Sequence, residues 1–95
     1  MSHKEDPSFT ISYDNPEYEN SLSSLNSADR KDLADKILIL QNNPFLIATP
    51  LHKPYQGKYR VKIADGKYRL IITINLNSNT IKLWYVSGRG DVYIK

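Results

Sequence analysis

The sequence predicts an α+β domain: an N-terminal strand, two helices, then a three- to four-stranded antiparallel sheet with the helices packed on one face. Three observations carry this. Apolar residues recur at helical spacing only between about residues 16 and 41, and they alternate at period two on either side of that stretch. Turn-forming pairs then punctuate the second half at short intervals. At 95 residues the chain reads as a single domain, 1–95, with the polar segment 1–7 expected to be disordered.

The first strand is the alternation Ser8-Phe9-Thr10-Ile11-Ser12-Tyr13. Asp14-Asn15-Pro16 then supplies a side-chain cap followed by proline at a first helical position, and Tyr18, Leu22 and Leu25 share the face of a short helix. A second helix is expected from about 27 to 41. Leu33, Ala34, Ile37, Leu38 and Leu40 form its apolar stripe, with Asp29, Arg30, Asp32, Asp35 and Lys36 mostly outward. Asn42-Asn43-Pro44 ends it. Three prolines, Pro44, Pro50 and Pro54, make the stretch 45–56 an irregular connection. Strand patterns follow at 58–63, 68–75 and 80–86, with a last short one at 91–94. Asp65-Gly66 favours a tight turn between the first two, and 75–79 is a longer polar turn.

Composition narrows the function. A domain this small hides only about 60 to 65% of its unfolded surface, which argues for a shallow site laid on the scaffold rather than a deep cofactor pocket. With no cysteine there is no disulfide framework, thiolate metal site or thiol nucleophile. Two histidines, His3 and His52, are too few for a histidine-based metal site or relay. No apolar run reaches membrane-spanning length and the opening residues lack a signal-peptide core, so the reading is cytoplasmic, with no membrane partner. The net charge of +3 conceals a division: up to Leu51 four basic residues face eight acidic ones, and from His52 onward nine face two. Such asymmetry points to a polyanionic partner for the second half, although strand-rich segments also carry Lys and Arg simply as a solvated face.

Candidate chemistry lies in that basic half. Arg60 and Lys62 alternate with Tyr59, Val61 and Ile63 and so project to one side, where Arg69 joins them if the register allows. Cations gathered on one face repel by roughly 1 kcal/mol or more per close pair, and a phosphate is the simplest anion to relieve that. Arg89 sits between two glycines in Ser87-Gly88-Arg89-Gly90, and Tyr93 follows it. Trp84 and Tyr85 are expected on opposite sides of their strand, leaving one ring for stacking on a base. Lys58, Lys67 and Lys82 are the expected RNA-binding lysines. Phosphate-loop, zinc-protease and serine-triad patterns are all missing. What remains is Arg, Lys and Tyr acting on a phosphodiester, without metal or cofactor. RNA brings its own nucleophile, the 2′-OH, so the protein need only position the strand, move protons and stabilise charge.

The run Gly57-Lys58-Tyr59-Arg60-Val61-Lys62-Ile63, then Gly66-Lys67-Tyr68-Arg69-Leu70-Ile71-Ile72, then Arg89-Gly90-Asp91-Val92-Tyr93, resembles the RelE/ParE superfamily of toxins. Tyr13-Asp14-Asn15-Pro16-Glu17-Tyr18 is similar to that family's strand-to-helix entry, and Leu40-Gln41-Asn42-Asn43-Pro44 to the close of its second helix. The resemblance implies the toxin of a type II toxin–antitoxin pair, with a cognate antitoxin as partner. RelE-type members cleave messenger RNA in the ribosomal A site, so a ribosome carrying mRNA would be the second partner. ParE-type members act on DNA gyrase and lack the ribonuclease residues, and a degenerate member would only bind. Carried over residue by residue, the resemblance implies that Lys62, with Tyr93, removes the 2′-OH proton. It implies that Arg60 and Arg69 stabilise the phosphate and that Arg89 assists the leaving oxygen. Arginine at Arg60, where lysine is commoner in the family, keeps the charge and changes the geometry.

Overall fold

The computed structural model describes residues 8–88. Strand β1 (Thr10–Ser12) leads into helix α1 (Pro16–Ser21), a 3₁₀ turn (Leu22–Ser24) and helix α2 (Ser27–Asn42). A second 3₁₀ turn (Pro44–Leu46) precedes β2 (Thr49–Pro50), β3 (Tyr59–Ile63), β4 (Tyr68–Asn75) and β5 (Thr80–Gly88). The strands form a five-stranded sheet in the order β1-β5-β4-β3-β2. That is more than the three or four antiparallel strands expected. The expectation missed β2, two residues pairing with Tyr59 and Arg60 inside the stretch read as irregular. It also left β1 outside the sheet, whereas β1 lies parallel on β5 through Ile11↔Ile81. The two residues of β2 are too few for periodicity to register, and the alternation that does show β1 does not say which strand it pairs with. The segment 91–94 lies outside the described residues.

Both helices begin where side-chain caps allow. Asn15 Oδ1 accepts from the Glu17 N–H at 3.2 Å and Asn26 Oδ1 from the Asp29 N–H at 2.8 Å, each satisfying an amide with no partner inside its helix. Arg30 holds the joint between them, donating to the Leu25 and Leu22 carbonyls at 3.1 and 2.7 Å. The helices lie on one face of the sheet. Tyr18, Leu25, Leu33, Ile37 and Leu40 meet Ile11, Val61, Ile63, Leu70, Ile72, Ile81, Leu83 and Val86 in one core.

The stripe on α2 is wider than that core. Ala34 and Leu38 are exposed and line an apolar groove of about 450 Å³ with Tyr13, Tyr18, Leu22 and Leu33. Asp29, expected outward, is instead buried, and Lys67 Nζ pairs with it at 3.1 Å. The β3–β4 turn is the one Asp65-Gly66 suggests, spanning 64–67 beyond the last strand pair Ile63↔Tyr68, with the Lys67 N–H donating to the Ala64 carbonyl at 3.1 Å. Ala64 and Asp65 both take positive φ, 55° and 58°, ahead of Gly66 at 86°. Such φ is unusual for alanine and is held here by a tertiary contact, because the Ala64 N–H donates to Asp32 Oδ2 on α2 at 2.7 Å.

Candidate nucleic-acid interface

With Val61, Ile63, Leu70 and Ile72 turned to the helices, strand alternation sends their neighbours to the other face. Lys62 stands directly opposite Arg69 across the β3–β4 ladder, and Arg69 opposite Ser87 on β5. The next row is Thr49, Arg60, Ile71 and Tyr85, and the one after it holds Thr73 and Lys82. The sequence reading of Arg60, Lys62 and Arg69 as one group on one face therefore agrees with the register. Like charges directly opposite in a ladder are destabilising by a fraction of a kcal/mol to about 1 kcal/mol, so this arrangement does not arise from sheet stability. Among the described residues no carboxylate pairs with Arg60 or Lys62. Arg60 Nε is buried without a hydrogen-bond partner among them, a donor left unsatisfied.

Ile71 is the apolar floor of this face, fully buried although it lies opposite the helices. A β-bulge beside it changes which way the β5 rings point. Tyr85 pairs with Ile71 and Leu83 with Ile72, so Trp84 is the unpaired extra residue, and Val86 returns to the core. Trp84 and Tyr85 therefore share the basic face instead of flanking the strand, which corrects the alternation expected from sequence. Trp84 Nε1 donates to Thr73 Oγ1 at 3.0 Å, and Lys82 and Lys58 hold their ammonium groups 4.1 and 4.7 Å from the indole centre.

The edge of β5 beyond β1 is covered by α1. Asn15 Nδ2 donates to the Leu83 and Trp84 carbonyls, and the Val86 N–H donates to Ser21 Oγ. This brings Glu17 to the margin of the face. Burial pushes the Tyr85 phenol above its ordinary value, with Tyr55 and Glu17 adding to the effect. At the other margin a cleft of about 340 Å³ opens beside Arg60, lined by Thr49, Leu51, His52, Lys53 and Tyr55. The sequence reading passed over His52, Lys53 and Tyr55. Their only signal was a cluster of polar side chains between Pro50 and Gly57, in a stretch where no periodicity says which way a side chain points.

Lys67 is the expected RNA-binding residue that this face does not include. Its ammonium is paired with Asp29 at the start of α2 and lies 5.6 Å from the Tyr68 ring centre. Lys67 is the last residue of the turn 64–67, outside the ladder that ends at Ile63↔Tyr68, and the Ala64–Asp32 bond holds that turn against α2. Arg89 and Tyr93 lie outside the described residues. The larger apolar groove on α1 and α2 contains none of the cations of the sheet face.

No protein-family model matches the sequence, and no curated protein does. Solved structures do. A chain of the RelBE2 toxin–antitoxin complex from Mycobacterium tuberculosis superimposes with a TM-score of 0.75 at 21% identity, covering 90% of this chain and 95% of that one. The archaeal RelE–RelB complex from Pyrococcus horikoshii gives 0.64 at 18% identity, covering 90% of this chain and 99% of that one. The isolated RelE toxin of E. coli gives 0.69 at 16% identity, over 90% of this chain and 89% of that one. Two helices on one face of a sheet, with the cations on the other, are thus arranged on the RelE toxin fold.

Proposed function

We propose that this protein is the toxin of a toxin–antitoxin pair and that its basic sheet face is the active site of an mRNA endoribonuclease working on the ribosome. The observation that carries the reading is the placement of Lys62 opposite Arg69 with Arg60 one row away, on a face without a neutralising carboxylate for Arg60 or Lys62 among the described residues. Three cations held by two adjacent strands suit a dianionic phosphorane better than they suit one another.

In the proposed step the 2′-oxygen attacks the adjacent phosphorus while the neutral amine of Lys62, acting with Tyr93, takes its proton and so becomes the third cation facing the phosphorane. The phosphorane gathers negative charge on its non-bridging oxygens, where the guanidinium groups of Arg60 and Arg69 donate. The bond to the 5′-oxygen breaks, and Arg89 supports the charge on that leaving oxygen. That oxygen takes a proton from water, and the products are a 2′,3′-cyclic phosphate and a 5′-hydroxyl. RNA's own hydroxyl is the nucleophile, so no protein nucleophile is required, and the ribosome supplies the positioning that a shallow face does not.

Several of the similar structures are complexes with RelB antitoxins, which supports an antitoxin as the partner of this chain as well. An acidic antitoxin segment would complement the sheet face by charge. The test is primer extension on transcripts after induction of the protein in cells. New ends at codon-periodic positions are expected, and they should disappear for Lys62→Ala and Arg69→Ala. Inhibition of gyrase supercoiling with translation unaffected would overturn the reading.

A further inference from the structure

The indole of Trp84 extends the basic face away from the Lys62–Arg69 pair. Trp84 on β5 bonds to Thr73 on β4 and lies within 4.7 Å of the Lys58 ammonium just before β3, so this one residue links three neighbouring strands. Lys82 approaches the same ring at 4.1 Å. Neither lysine has a carboxylate partner among the described residues. Two ammonium groups are therefore held over one aromatic ring with their charge uncompensated.

We propose that Lys58, Trp84 and Lys82 form a binding subsite for single-stranded RNA beside the catalytic cations. One unpaired nucleobase stacks on the indole, and the two ammonium groups take the flanking phosphates. The identity of the ligand rests on the ribonuclease reading. The geometry of the subsite does not. Lys58, Arg60 and Lys62 alternate along one edge of the face at about 6.6 Å, two residues of strand rise, so an extended strand crossing the scissile position continues onto Lys58. Stacking of a base on an aromatic ring exceeds the attraction of a solvated ammonium for it, so an incoming base displaces the lysines, whose flexible stems carry them to phosphate. A duplex has its bases engaged and offers no free ring face to Trp84. An acidic peptide would satisfy the lysines and leave the indole unused.

Trp84 is the single tryptophan of the chain, so its fluorescence reports this position alone. The full chain is titrated with a 2′-O-methylated, uncleavable single-stranded oligoribonucleotide, with duplex RNA and an acidic peptide as comparisons. Saturable quenching by the single strand only is expected. Lys58→Ala and Lys82→Ala should each weaken binding several-fold and reduce the log–log salt dependence by about 0.7. Trp84→Phe, followed by anisotropy of a labelled oligonucleotide, should weaken it about tenfold. Because the two lysines lie on the surface side of the sheet, their variants keep the test decisive if the tryptophan variant does not fold. Absence of quenching while anisotropy shows the oligonucleotide bound would overturn the proposal, and so would quenching by the acidic peptide alone. Transcript cleavage that depends on Arg69 without quenching removes the subsite and leaves the ribonuclease reading standing. Quenching by RNA in a protein that cleaves no transcript does the reverse.

Discussion

The Asp32 carboxylate accepts a hydrogen bond of 2.7 Å from the Ala64 backbone N–H, joining α2 to a turn 32 residues further along the chain. Lys36 donates to both oxygens of the same carboxylate at 2.9 Å. The turn it holds carries two non-glycine residues at positive φ and fixes the register that places Lys62 opposite Arg69. Asp32→Ala is expected to lower stability by about 1 to 2 kcal/mol in urea unfolding, the lower part of the range for a charged hydrogen bond because the side chain is partly exposed. Asp32→Asn, which keeps an acceptor for Ala64, should lose less. The Ala64 bond, followed by the Lys36 bond, holds the Asp32 carboxyl below its ordinary value. A depressed carboxyl stabilises the fold fully above the unfolded value near 3.9 and loses that contribution as pH falls through the lower folded value. Acid unfolding of the wild type should therefore contain a component that is absent from Asp32→Asn.

Asn15 does two jobs that its cap position alone does not require. Its oxygen caps α1, and its Nδ2 donates to the Leu83 and Trp84 carbonyls at 3.2 and 3.0 Å, where β5 bulges. Aspartate is as good a helix cap as asparagine, so a pure capping role predicts no change for Asn15→Asp. The present geometry instead turns a donor into an anion facing two carbonyl oxygens. A loss of about 1 to 3 kcal/mol is expected in thermal or urea unfolding. A neutral result would mean that the contact to β5 contributes nothing.

Tyr18 gives a second pH dependence, at the alkaline end. Burial pushes its phenol up to about 12, with Tyr13 nearby adding to the shift. The neutral form is the one the fold favours, so stability is unaffected below the unfolded value near 10 and falls as pH rises from there through about 12. Spectrophotometric titration should show a tyrosine ionising late and together with unfolding, and Tyr18→Phe should remove that late step. Early ionisation of every phenol in folded protein would contradict the packing of α1 described above.

What could be read in the sequence followed from how far each signal repeats. The Ser27–Asn42 helix and the three long strands repeat their pattern over many residues, and the Asn15-Pro16 entry is a cap and a proline side by side, so their type was legible. So was the shared face of Arg60 and Lys62, which alternation alone dictates. The sequence reading failed wherever one tertiary contact decided the outcome. The turn 64–67 formed where Asp65-Gly66 placed it, but its bond to Asp32 brings it against α2, where Lys67 pairs with Asp29. The bulge at Trp84 broke the alternation that would have separated it from Tyr85. The cleft beside Arg60 comes from a connection in which no periodicity operates, so the polar cluster of His52, Lys53 and Tyr55 carried no direction.

The most direct test of the active-site assignment is the rate of mRNA cleavage on programmed ribosomes by purified protein, comparing wild type with Arg69→Ala. Removing one preorganised donor from a phosphorane site costs on the order of 10² to 10³ in rate. A loss of that size, with urea stability close to that of wild type, is the predicted result. Cleavage at the wild-type rate in the folded variant would contradict the account and move the chemistry off the Lys62–Arg69 face.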